Sequence, residues 1–157
     1  MRRLDASDEP RLLGADQVAT VRRARGLVES AFGFAPTKWE EGGLSELLAW
    51  GAETDSGTPF SFVAHARDES AWTIVAHSIN DLPVILATLR LSETDLVWRS
   101  KKDPVKPWAL VRVELDGTRT VIQRAASEKI VKRAAEYWTA RNASTGGTPA
   151  SFVIEKS

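Results

Sequence analysis

The apolar positions of this chain change their spacing several times, and each change predicts an element. Over 72–91 (WTIVAHSINDLPVILATLRL) Trp72, Val75, Ile79, Leu82, Leu86 and Leu89 fall at steps of three and four, the spacing that lines one face of a helix. Thr73, Ile74 and Val75 are β-branched and suit a strand equally well, and VAH occurs at both 63–65 and 75–77, so a β-meander is the alternative. Asp68 can cap a helix starting at Glu69, Asn80 or Asp81 can cap a second, and Pro83 suits a first helical position. These signals favour two helical pieces, 69–78 and 81–91, joined at a bend. The same spacing at Val18, Val21, Leu27, Val28, Ala31 and Phe32 predicts a helix over 15–32, with Gly33 as its stop.

Elsewhere the alternation is strand-like. Segments 44–51 and 58–66 flank the turn-forming ETDSG and predict a hairpin, with Phe60, Phe62, Ala64 and Ala66 on one face of its second strand. TDLVWR at 94–99 predicts another strand. Segments 108–115 and 118–125 flank Asp116-Gly117, the strongest hairpin signal in the chain. A two-residue turn there pairs Leu115 with Thr118 and Glu114 with Arg119, and it puts Ala109, Val111, Val113, Leu115, Thr120 and Ile122 on the core face. Leu110, Arg112, Glu114, Arg119, Val121 and Gln123 then form the outer face. A last helix runs from about Ser127 to Arg141, with Ile130, Ala134, Ala135, Tyr137 and Trp138 on its apolar side. The closing SFVIEKS either adds an edge strand or stays loose. The expected class is α+β: a single domain over 15–143, with an antiparallel sheet of about five strands and helices mainly on one face. Residues 1–14 are expected to be a flexible lead-in, and 144–157 a linker-like tail.

Composition narrows the class of function. With 157 residues, 43% hydrophobic and 27% charged, the chain has the make-up of one ordinary globular domain. Basic and acidic residues both number 21, so no global charge drives it onto nucleic acid or an anionic membrane. The charge is nevertheless uneven: 1–93 hold 9 basic and 14 acidic residues, whereas 94–157 hold 12 and 7. The opening MRRLDASDEP has no apolar run behind its arginines, and no apolar stretch is long enough to span a bilayer. A soluble, cytoplasmic protein with no membrane partner is therefore expected. Cysteine is absent, which rules out disulfides and thiolate chemistry.

The segment AWTIVAHSINDLPVILATLR resembles a stretch of the type aromatic-x-Ile-Ala-His-Ala-Arg-x-Asp-Val-Pro-x-Leu-Leu, found in small proteins of actinobacteria and their phages. It spans about twenty residues, mostly apolar, with Asp81 and Pro83 as its polar and turn markers; the arginine usual in that stretch is absent here. The resemblance implies a bacterial or phage setting and a helical segment. It carries no activity, so no functional residue is transferred.

Candidate chemistry is sparse. His65 and His77 are the two histidines, with Asp68 three residues after one and Asp81 four after the other. A carboxylate that orients an imidazole is what metal ligation or general-base chemistry needs, but each aspartate is equally suited to capping a turn. No G-x-S-x-G or phosphate-binding loop is present, and the Ser56-Gly57-Thr58 and Gly146-Gly147-Thr148 segments read as turns. The six tryptophans suit a core, with Trp39, expected in a loop, and Trp98 as candidates for exposure. Arg99, Lys101, Lys102 and Lys106 lie between Trp98 and Trp108, and cations among aromatics are what single-stranded nucleic acid contacts. Exposed lysines also discourage edge-to-edge pairing of sheets.

The function these features favour is non-catalytic macromolecular binding, as by an immunity-type, anti-defence or regulatory factor. The partner expected is another protein, and no cofactor or metal is expected. The alternative is a nucleic-acid-binding accessory protein using the 99–106 loop. A His/Asp-dependent enzyme ranks third.

Overall fold

The computed structural model describes residues 1–41, 45–65, 68 and 70–157. Its elements, in order, are β1 (Arg2–Arg3), a 3₁₀ helix (Ala6–Leu12), β2 (Asp16–Arg22), α1 (Arg25–Phe32), β3 (Thr37–Glu41), β4 (Ser45–Glu53), β5 (Pro59–His65) and β6 (Ala71–Ala76). There follow a 3₁₀ turn (Ile79–Asp81), α2 (Leu82–Thr88), a second 3₁₀ turn (Glu93–Asp95), β7 (Leu96–Arg99), β8 (Trp108–Glu114), β9 (Arg119–Ala125), α3 (Glu128–Ser144) and β10 (Ala150–Lys156). The chain divides into two compact units, Met1–Asp103 and Pro104–Ser157. The α+β class holds, but the strands form two antiparallel sheets, of seven and three strands, in place of one sheet of about five.

In the first unit the strand order is β1-β4-β5-β6-β2-β7, with β3 also paired to β4. The hairpin expected from ETDSG is present as β4 and β5, with Trp50 opposite Phe62; positions 44 and 66 of the expected strands lie outside the described residues. The helix expected over 69–78 is instead β6. Trp72, Ile74 and Ala76 alternate into the core, and β-branched Thr73, Ile74 and Val75 fit a pleated strand between two partners better than a helix. Asp68 does not cap a helix: its carboxylate accepts from the Ser70 and Ala71 backbone N–H groups, at 3.0 and 3.2 Å, in the turn that enters β6.

The second helical piece is real but shorter. Asp81 stands at its N-cap position without a side-chain cap bond, and the capping box belongs to the 3₁₀ turn before it: the Ser78 hydroxyl accepts from Asn80 N–H, and the Asp81 carboxylate accepts from Ser78 N–H. Pro83 sits in the first turn of α2, as expected. The helix expected over 15–32 divides into β2 and α1. A bulge between Gln17 and Ala19 lets Val18 and Ala19 both be buried, so burial along β2 departs from strict alternation and imitates a helical spacing.

Helix and sheet residues share one core in this unit. Phe32 of α1 stacks on Trp50 with ring centroids 5.4 Å apart, and Phe62 stacks on Trp72 at 5.5 Å. The Trp72 indole N–H donates to the Arg23 carbonyl at 2.9 Å, and that of Trp50 to the Phe34 carbonyl at 2.8 Å, so neither buried ring leaves a polar atom unsatisfied. Ile85, Leu86 and Leu89 of the α2 region join this cluster. Residues 1–14, read from sequence as a lead-in, carry β1 and a 3₁₀ helix, with Leu4, Asp8 and Arg11 buried. Arg2 and Arg11 both donate to the Glu53 carboxylate.

In the second unit β8 lies between β10 and β9. Segment 144–157, read as a tail, contributes β10, which takes the edge position. Next to the turn the β8–β9 register differs by one residue from the expected one, and a bulge between Leu110 and Val111 restores the expected pairing, with Leu110 opposite Gln123 and Trp108 opposite Ala125. Val113 faces Arg119, and Glu114 N–H donates to the Thr118 carbonyl at 2.9 Å, so the loop holds three residues, with Gly117 at φ +84. An αL glycine at that position closes a three-residue hairpin and moves the register by one. The face packed on α3 carries Leu110, expected on the outer face, while Ala109 and Val111 of the expected core face are buried as well. Leu110, Ala125, Val131 and Ala134 form its core, Gln123 is buried and accepts from the Trp138 indole, and Leu115 is 79% exposed.

Candidate functional site

Strand β7 is the last strand of the seven-stranded sheet, and among the described residues only β2 pairs with it. The pairing sets Thr20 opposite Trp98 and Ala19 opposite Arg99, and beyond it Ser100 N–H donates to the Val18 carbonyl at 2.8 Å. Backbone groups of an antiparallel strand point alternately to its two sides. With Ser100 and Trp98 directed at β2, the N–H and C=O groups of Arg99 face away from the sheet, while the register shift between Thr20 and Val21 makes Val97 a bulged residue of β7. LVWR lacks the apolar–polar alternation of a half-buried strand, and its burial shows the result: Leu96 turns to the core, while Val97 and Trp98 are 54% and 47% exposed. An open edge that carries large apolar side chains is the feature native sheets ordinarily suppress.

The turn beyond β7 is fixed at both ends. Ser100 holds one end, where its hydroxyl also donates to the Lys102 carbonyl at 2.8 Å. At the other, the Asp103 carboxylate accepts from the Ser78 hydroxyl and the Ile79 N–H, both at 2.7 Å. Lys101 and Lys102 stand exposed between these anchors, and neither has an ion pair among the described residues. Arg99, by contrast, is engaged with Glu93 at 3.1 Å. Asp95, in the 3₁₀ turn before β7, is held below the usual aspartate range, chiefly by the N–H of Ser92, so it stays charged and pairs with Arg23 at 3.6 Å.

The structure thus keeps part of the sequence-derived cluster. Trp98, Arg99, Lys101 and Lys102 share one strand and turn. Lys106 belongs to the second unit and is half-buried, and Trp108 has Lys156 over its ring at 5.4 Å. Trp39 is in strand β3 rather than a loop, paired with Leu47; its side chain lies outside the description. The anchors Ser78 and Asp103 and the exposed Val97 had no place in the sequence-derived site. The missing alternation in LVWR is the signal that could have marked Val97.

The two histidines differ in role, and His77 directly precedes the anchor Ser78. His65 ends β5, exposed, and Asp68 donates its backbone N–H to the His65 carbonyl while its side chain serves the turn. His77 Nε2 lies 2.6 Å from the Arg11 carbonyl, and Asp81 caps Ser78. Among the described residues no group of three His, Cys, Asp or Glu side chains is placed to hold a metal ion, and no described helix is long and apolar enough to cross a membrane. Comparison with protein-family models, curated proteins and solved structures finds no match to this chain.

Proposed function

We propose that the chain works by non-catalytic binding of another protein through the open edge of β7 and the lysine turn that follows it. The supporting observation is the edge itself: Val97 and Trp98, about half exposed, on a strand with one side unpaired among the described residues. An extended segment added to such an edge gains main-chain hydrogen bonds, with side-chain contacts supplying selectivity. Trp98 offers a rigid aromatic contact, and Lys101 and Lys102, fixed by Ser100 and Asp103, favour acidic residues. The partner segment is therefore extended, apolar at alternate positions and acidic between them.

A fluorescence-anisotropy titration of the full chain with a labelled peptide of alternating valine and glutamate tests this. Saturable binding, weakened about tenfold or more, on the order of 1.4 kcal/mol, by Trp98→Ala is expected. Equal affinity for a valine–lysine peptide would contradict it.

Nucleic acid is the second reading, favoured by an exposed tryptophan beside two cations. Against it, residues 1–103 hold 12 basic and 16 acidic side chains, a net charge that repels a long polyanion. Two phosphate contacts would give single-stranded oligonucleotide binding a log–log salt slope of only about −1.4. Micromolar binding of oligothymidylate in 0.15 M salt, lost in Lys101→Glu with Lys102→Glu, would establish that reading in place of the first.

A further inference from the structure

A cavity of about 420 Å³ lies in the first unit between α1 and the residues that end α2. Phe32 and Phe62 line it, together with Val28 and Leu89, and all four are buried, so the main core forms one wall of the cavity. Its volume falls within the range of small-molecule sites, roughly 300–1,000 Å³. Arg23 and Arg90 also line it. Arg23 is already paired with Asp95, whereas Arg90 is exposed and has no ion pair among the described residues.

Arg90 is also the one described non-glycine residue with positive φ, at +55. It follows α2, where Leu91 N–H donates to the Leu86 carbonyl at 2.8 Å and Arg90 N–H to the Ala87 carbonyl at 3.2 Å. That is a helix-terminating motif whose left-handed residue is usually glycine. An arginine there accepts a conformational cost that glycine avoids, and it stands among the residues that line a cavity of mixed polar and apolar character. Guanidinium is planar, permanently charged and matched to carboxylate in a two-point contact. We infer that this cavity binds a small amphiphilic carboxylate, its aliphatic chain or ring against Phe32 and Phe62 and its carboxylate on Arg90.

Calorimetric titration of the full chain with decanoate and with decanol tests the assignment. Decanoate is expected to bind saturably, and Arg90→Gln to weaken it about tenfold or more while leaving decanol within about twofold, since only the anion uses the guanidinium. Ala31→Trp, which fills the cavity from α1, should abolish binding of both. Arg90 is exposed and glutamine keeps the same backbone demand, so Arg90→Gln should retain the wild-type melting temperature and remain informative if Ala31→Trp does not fold. Absence of saturable decanoate binding, or equal decanoate affinity in wild type and Arg90→Gln, would overturn the inference.

Discussion

The Ser78 hydroxyl donates to the Asp103 carboxylate at 2.7 Å across 25 residues of sequence, fastening the lysine turn after β7 to the start of the α2 region. The same carboxylate accepts from Ile79 N–H. Asp103→Ala leaves both donors without that acceptor, with an expected loss of about 1–3 kcal/mol in urea denaturation. The turn should also loosen, seen as faster exchange of the Lys101 and Lys102 amides. Unchanged stability and exchange would show that the turn is fixed in some other way.

Trp72 tests the strand assignment of 71–76. Its ring is fully buried, stacked on Phe62 and bonded to the Arg23 carbonyl. Trp72→Ala should cost about 3–5 kcal/mol in chemical denaturation. Thr73→Pro tests the central pairing itself, because Thr73 pairs with β5 and β2 on both sides of β6 and proline is not accommodated in a central strand. A folded Thr73→Pro variant with near wild-type stability would contradict the assignment.

Glu53 makes stability depend on acid. The side-chain hydrogen bond from Arg2, with further help from Arg11, holds its carboxyl below the ordinary glutamate value against the opposing effect of burial. The unfolded chain therefore binds this proton at higher pH than the folded one. The contribution is full above the unfolded value and is lost as pH falls through the depressed folded value. Glu53→Gln should lower stability at neutral pH by about 1–3 kcal/mol and flatten its decline between roughly pH 5 and pH 2. Urea midpoints across that range check this; an identical pH slope in the variant would exclude the role.

Gly117 closes the β8–β9 hairpin at φ +84, and a Cβ there meets nothing within 4 Å. Gly117→Ala should therefore destabilise through backbone strain alone, by about 1 kcal/mol. A thermal melt of the variant measures it, and no shift in midpoint would mean that the loop relaxes to another turn.

What could be read from sequence depended on whether one periodicity had a rival. The β4–β5 hairpin and α3 were legible because their patterns have a single reading. Segments 15–32 and 69–78 were not. In the first, the Gln17–Ala19 bulge gives β2 a spacing that imitates a helix. In the second, alternate Trp72, Ile74 and Ala76 run directly into the genuine helical positions Leu82, Leu86 and Leu89, so two elements read as one stripe. The register next to the β8–β9 turn was missed because Asp116-Gly117 suits a two-residue or a three-residue loop, and the face packed on α3 was missed because β8 buries residues of both faces, Ala109 and Val111 as well as Leu110. Of the candidate site, Trp98 and its cations were visible as residue types. The openness of the β7 edge depends on strand order, set by pairings between residues far apart in sequence.

Amide hydrogen exchange on the full chain, with and without saturating valine–glutamate peptide, tests the edge-binding claim most directly. The N–H group of Arg99, which points away from β2, should become protected on binding, while those of Trp98 and Ser100, already directed at β2, change little. Binding without protection at Arg99, or with protection confined to other strands, would contradict recognition through the β7 edge.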